Sequence, residues 1–339
     1  MSLISSQDAG SAQYVACTKL ARGASATIFL VHERRRDQLL AVKCRQRSEL
    51  SEPEEELNTR RENELFLLLS KTNSPFFPRL WDILKTTNAT YLIMDFFGNG
   101  DLEALLQRQP FTPSQTRFYA AELCLAVEYI HDNGILHRNI QLDNILLASD
   151  GHIKLSGFGV YKAEMKSPSK TSTFCGSVSN LPPEILLDQP YGMAVDWWYY
   201  GVTLYQMIAR EDPFQGDTTD DLYDAILSDC ELHYPADLPR SHRDILCGLL
   251  QRDPNQRLGG TGHDSIEVKR HEYFQGVDWE NVPENFEVPF VPTRKNSHSG
   301  KCLCPQTADN AIDSHNYTSK ELPAEIQSLF ADFSQSLAF

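Results

Sequence analysis

The chain has 339 residues, 41% hydrophobic and 23% charged, an ordinary globular composition with room for two lobes and a sizeable core. A formal net charge of -15 works against nucleic acid and anionic lipid as partners, since those polyanions reward clustered Lys and Arg. No apolar run approaches the ~18 residues needed to cross a bilayer, and the opening MSLISSQDAGSAQ is too polar for a secretory signal. A soluble, cytoplasmic protein without membrane insertion is expected.

After an N-terminal arm (1–13), short β-prone runs such as TIFLV at 27–31 and LLAVKC at 39–44 alternate with Gly-rich or charged turns, which predicts an antiparallel sheet. SEPEEELNTRRENELFLLLSK (51–71) places a Ser before an acidic run and apolar residues later, the order a helix N-terminus prefers. One helix therefore interrupts the strands. YLIMDF (91–96) reads as a further buried strand ending at FGNGD, and helical periodicity dominates from SQTRFYAAELCLAVEYIHDNG (114–134) onward. The pattern predicts a β-rich lobe over 14–96 and a helical lobe over 97–274. From about 275 a Pro-punctuated tail runs to 339, with no periodicity over 295–320 and renewed apolar character in ELPAEIQSLFADFSQSLAF. The 8 cysteines lack the paired C-x-x-C spacing of a zinc site, so reduced thiols and no structural metal are expected.

A Gly-rich turn, an A-V-K strand, a Glu-bearing helix, an H-R-x loop, x-F-G, P-E and D-W-W follow one another in that order. No single one is specific, but seven in register are, and the series resembles the protein kinases. The wording around them (LDNILLASDGHIKLSGFG, TSTFCG, PPEILLDQPYGMAVDWW, QRDPNQRLGG, FVPTRK) resembles the AGC group and most closely protein kinase C, over roughly residues 14–339. The resemblance implies an α+β, bilobal protein-kinase fold with an AGC-type C-terminal tail. The lipid- and calcium-binding regulatory domains typical of protein kinase C are not part of this sequence.

Phosphoryl transfer requires metal-bound phosphates, a lysine on the phosphates and a carboxylate for the acceptor hydroxyl. In the loop His137-Arg138-Asn139-Ile140-Gln141-Leu142-Asp143-Asn144, the resemblance puts Asn139 where the family has its catalytic aspartate and Gln141 where it has a lysine that neutralises the migrating phosphate. In Ser156-Gly157-Phe158-Gly159, Gly157 replaces the metal-binding aspartate, and Asn144 alone makes a poor magnesium site. Of the three family glycines in the turn Leu20–Ile28, Gly23 remains, with methyls at Ala21 and Ala26 restricting the approach to phosphate.

Other positions match the family. Lys43 and Glu62 resemble the lysine–glutamate pair on the phosphates, with Glu64 as the alternative partner and a solvated acidic helix as the plain reading. Leu20, Ile28, Ala41 and Leu146 correspond to residues that sandwich adenine, Met94 to the gatekeeper and Asp101 to the ribose-contacting acid. The competing reading makes them core residues of a closed cleft. Phe66, Leu80, His137 and Phe158 match the hydrophobic stack, and Glu184 and Arg257 the buried ion pair. Thr173 matches the activation-loop phosphosite, with Arg138 and Lys162 as phosphate receivers. Phe330, Phe333 and Ser334 resemble the tail's hydrophobic motif, although Gln335 stands where an aromatic is expected.

These residues lead to the expectation of a pseudokinase rather than an enzyme: a conformational switch or scaffold with weak, magnesium-independent ATP binding. Its expected partners are signalling proteins, an active kinase or a second copy of itself. Two alternatives stay open: an unconventional Ser/Thr kinase using Asp143 or Asp150, and an occluded adaptor that binds no nucleotide.

Overall fold

The computed structural model describes residues 14–22, 26–47, 53–72, 74–86, 88–165, 171, 178–228, 232–282 and 288. They divide into two compact units. The first takes the described residues up to Ser74 together with Pro78–Gly98, and the second takes Pro75–Phe77 and those from Asn99 onward.

The first unit is an antiparallel sheet of strands β1 (Tyr14–Arg22), β2 (Thr27–Glu33), β3 (Gln38–Gln46), β4 (Leu80–Lys85) and β5 (Ala89–Asp95), ordered β1-β2-β3-β5-β4. Strand side chains alternate between faces. The set Phe29, Val31, Leu40, Val42, Cys44, Tyr91 and Ile93 therefore gathers into one buried apolar cluster. The intervening set, Ala41, Lys43 and Arg45, lies on the other face of β3. Helix α1 (Pro53–Lys71) buries Thr59, Glu62, Asn63, Leu65, Phe66 and Leu69, a stripe at three- and four-residue spacing.

The second unit is mostly helical: α2 (Leu102–Arg108), α3 (Pro113–Asp132), α4 (Pro183–Leu186), α5 (Ala194–Ala209), α6 (Thr219–Leu227), α7 (Arg240–Leu249) and α8 (Ser265–Arg270), with a small ribbon of β6 (Ile145–Leu147) and β7 (Ile153–Leu155). Thr112 opens α3 with a reciprocal capping box to Gln115, which fixes where that long helix starts. Helix α5 is buried on nearly every side, which marks it as the centre of this unit. Arg257 holds Glu184 through two parallel hydrogen bonds, 2.6 and 2.8 Å, with both side chains buried. Such a fork ties the α4 segment to the loop after α7.

His131, near the end of α3, sits between two carboxylates: Nε2 lies 3.0 Å from Asp196 and Nδ1 2.9 Å from Asp264. Burial opposes charging the ring, but hydrogen bonds to Asp196 and Asp264 outweigh it and push the pKa up to about 9. The folded value thus exceeds the ordinary ~6.5 of an unfolded chain. The stabilisation is fully present below ~6.5 and is lost as pH rises through about 9. Melting temperature should therefore fall between pH 6.5 and 9.5, by a loss on the order of 2–3 kcal/mol, and the slope should flatten in His131→Gln. A wild-type melting temperature that stays level across this range would contradict the charged state.

Candidate functional site

In the first unit, antiparallel register sets Lys43 of β3 opposite Ile28 and Leu92, and Ala41 opposite Leu30 and Met94. Lys43 Nζ donates to Glu62 Oε1 at 2.7 Å. Glu64, the alternative partner, is exposed, because two positions along a helix turn a side chain to another face. Burial lowers the pKa of Lys43. Burial also penalises the Glu62 carboxylate, but Lys43 and Arg45 hold its pKa below the ordinary range. The two groups lie within ion-pair distance.

Arg45 is the residue that the sequence reading missed. Its Nη2 lies 2.6 Å from Glu62 Oε2, and its Nη1 donates to Thr59 Oγ1 at 2.9 Å. The signal was available in the strand period: a residue two after Lys43 shares its face, and an arginine there faces a helix that should be covering an apolar surface. Leu20, Ile28 and Met94 are half-buried and Ala41 is buried in this unit, whereas Gly23 lies outside the described residues.

In the second unit the loop 137–144 is held by α5. Asp196 is fully buried, and its two oxygens accept from the backbone N–H of His137 (2.8 Å) and Arg138 (2.7 Å), besides facing His131. The His137 ring is packed 4.6 Å from the Phe158 ring, and its Nε2 is 2.8 Å from the Ser156 carbonyl oxygen. Burial drives its pKa down to about 4. It is a neutral donor that joins the loop to the x-F-G segment. Arg138 has a left-handed backbone and donates from Nε to Val160 O (2.6 Å), from Nη1 to Tyr191 Oη (2.9 Å) and from Nη2 to Tyr161 O (3.3 Å). All three nitrogens of the guanidinium are engaged. Lys162 pairs through its backbone with Leu136, while Thr173, Phe330, Phe333 and Ser334 lie outside the described residues.

Where the family carries charge, Asn139 and Gln141 carry amides, and the loop's backbone and Gln141 accept from amide side chains. Asn144 Nδ2 donates to Asn139 O at 3.0 Å, and Asn180 Nδ2 donates to Gln141 Oε1 at 3.3 Å. Asp143 is exposed and adjoins Gln141; desolvation by its surroundings, then the Asp101 carboxylate, raise its pKa. Asp101 caps α2 by accepting from Ala104 N–H at 2.7 Å and pairs by its backbone with half-buried Leu146. Asp150 is taken up in the β6–β7 turn, accepting from His152 N–H at 3.2 Å.

Gly157 adopts φ 84, and a Cβ added there would stand 2.3 Å from Asn144 Cγ and 2.5 Å from its Oδ1. The Asn144 carboxamide thus fills the space into which a side chain at 157 would project. Protein kinases bind ATP with magnesium held by a carboxylate at this position and the asparagine amide. One amide oxygen beside a glycine does not fit that metal, which takes near-octahedral oxygen ligands with carboxylates among them.

A protein kinase domain model matches residues 14–274. The chain belongs to the protein kinase family. Among its relatives, a protein kinase C-like protein of Cochliobolus heterostrophus is 40% identical over 274 residues, covering 80% of this chain and 23% of that protein. Protein kinase C-like 2 of Schizosaccharomyces pombe is 38% identical over 275 residues (81% and 27%), and protein kinase C of Drosophila melanogaster 36% over 279 (82% and 37%). The kinase domain here therefore spans only 23% to 37% of the length of these relatives. The expectation of a non-enzyme is corrected by these matches: proteins alike over four-fifths of the chain bear the names of protein kinases. Among the described residues no helix is long and apolar enough to cross a membrane.

Gly157→Ala should lower stability by about 1–3 kcal/mol, since Ala resists a left-handed backbone and its methyl displaces the hydrogen-bonded Asn144 amide. Urea unfolding measures this, and an unchanged midpoint would mean that Asn144 moves without cost.

Proposed function

We propose that this kinase domain is a slow serine/threonine protein kinase of the protein kinase C-like type, whose ATP binding is weak and does not require magnesium. The observation that carries the reading is the contact of Lys43 with Glu62 at 2.7 Å, with a carboxylate buried to 2% exposure. That pair is the phosphate-binding part of the motif set that is kept whole, and membership of the family supports phosphotransfer as its use. The relatives' names add the protein kinase C-like character, carried over as a proposal because the chain spans a minor part of each.

Deprotonating the acceptor hydroxyl needs a carboxylate, and Asp143 is the proposed substitute for Asn139. It lies on the same loop, and its raised pKa makes it a stronger base than an ordinary aspartate. Asp150 is the weaker choice because its carboxylate serves a turn. Loss of a positioned base costs roughly 10²–10⁴ in rate, and Gln141 removes a further stabilising charge. Turnover at least that far below an intact relative is the expected regime.

The proposed nucleotide contacts are Leu20, Gly23, Ile28, Ala41 and Met94 in the first unit and Asp101, Asn144 and Leu146 in the second. Thr173 is the proposed modification site, with Arg138 and Lys162 as its receivers. A phosphate there would compete for donors that Arg138 now gives to Val160, Tyr161 and Tyr191. Phe330, Phe333 and Ser334 are the proposed docking motif of the tail. A second role, presenting a nucleotide-dependent surface to signalling proteins or to a second copy of the chain, is favoured by the anchoring of the loop on Asp196, which does not involve the altered positions.

Incubation with ATP and protein substrates in Mg²⁺ or Mn²⁺ should give transfer above the Lys43→Ala background, reduced further in Asp143→Asn. Transfer no greater than that background would refute the kinase reading. In a separate thermal-shift titration, ATP should stabilise the protein as RT ln(1 + [L]/Kd), equally with EDTA and with Mg²⁺. A shift that appears only with the metal would remove the magnesium-independent part of the proposal.

A further inference from the structure

Glu62 is one carboxylate shared by two cations. Lys43 Nζ holds Oε1 at 2.7 Å, and Arg45 Nη2 lies 2.6 Å from Oε2, with side-chain exposures of 19%, 6% and 2% for Lys43, Arg45 and Glu62. The Arg45–Glu62 contact is close enough for an ion pair but lacks hydrogen-bond alignment. Arg45 Nε and Glu62 Oε2 consequently have no hydrogen-bond partner among the described residues. The charges that act on Lys43 are Glu62 and Arg45, the former favouring its ammonium form and the latter opposing it. The cluster thus sets two basic side chains against one carboxylate, with formal charges of +1, +1 and -1 when all three are ionised.

A net positive charge out of water is costly and gains from an anion brought alongside. With a single lysine, Glu62 would neutralise the ammonium, and any phosphate would have to compete with Glu62 for it. Here Arg45, held by the Thr59 hydroxyl, sets a second positive charge against the opposite oxygen, so that the one carboxylate cannot balance both cations. Gly157, in the second unit, offers no carboxylate to a metal.

We propose that Arg45 is a positioning residue that supplies positive charge where a divalent ion would otherwise do so: set against the far oxygen of Glu62 while Lys43 holds the near one, it offsets the carboxylate's pull on Lys43 and favours the polyphosphate of a nucleoside triphosphate without metal. The inference rests on the nucleotide-binding reading of the site and gives that reading its electrostatic basis. Arg45 touches Glu62 and Thr59 rather than the ligand, so its effect must show as selectivity for the phosphates. A purely structural role would weaken all ligands alike.

Calorimetric titration of the full chain with ATP and with adenosine, both in EDTA, separates the cases for wild type, Arg45→Met and Arg45→Lys. Wild type should bind ATP more tightly than adenosine. Arg45→Met should lose about tenfold in ATP affinity, the order of one screened charge interaction, with adenosine binding unchanged. Arg45→Lys, which keeps the charge, should restore most of the loss and serves if the methionine variant does not fold. Equal ATP affinity in all three proteins would overturn the role of Arg45 while leaving nucleotide binding in place. Parallel losses for ATP and adenosine would reduce Arg45 to a structural residue. Absence of ATP binding by wild type would overturn the nucleotide reading itself and this inference with it.

Discussion

The helical unit depends on one buried carboxylate. Asp196, at 0% exposure in the first turn of α5, gathers two backbone N–H groups of the 137–144 loop and one face of His131. A carboxylate in that position is tolerable only when its oxygens are satisfied, and removing either the acid or its donors would leave charge or dipoles stranded. The loop's backbone path is thereby fixed by donors that every residue type except proline carries. Side chains at 139, 141 and 143 can vary over that path without moving it. This separation explains how the scaffold of a kinase loop persists beneath an altered set of polar groups.

The β-rich unit shows the same separation in a different form. The apolar cluster on one face of the sheet makes no demand on the opposite face, where Lys43 and Arg45 meet α1. On that face the helix contributes Thr59 and Glu62, three residues apart and hence neighbours on one stripe. Register between β2, β3 and β5 is continuous from Gln38 to Gln46, without a bulge in either pairing. An unbroken strand is what holds a lysine and an arginine at a fixed spacing beneath a single glutamate.

Much of this architecture could be read from residue order. The strand-then-helix pattern, the helix over 53–71 and the long helix after Thr112 all follow from periodicity and caps, which act between near neighbours in sequence. The Lys43–Glu62 pairing was legible because a family motif supplied the long-range half of the argument. Arg45 escaped for the complementary reason: no motif names it, and only the alternation of β3 puts it with Lys43. The filling of the Gly157 space by Asn144 was not legible at all. It depends on a rotamer choice and on a backbone sign that the 12 residues between them, 145–156, do not encode. The function reading erred where it equated missing groups with missing activity, a step from structure to rate that chemistry limits only in magnitude.

The contact between Asn144 and the empty face of Gly157 also constrains how this site can change over generations. A carboxylate returning at 157 would meet the Asn144 amide at less than contact distance, so the first step back toward an ordinary metal site is the unfavourable one. The amide must first release Asn139 and rotate away before the acid can be accommodated. The two positions are therefore coupled: a side chain at 157 fits only where the Asn144 amide has turned away.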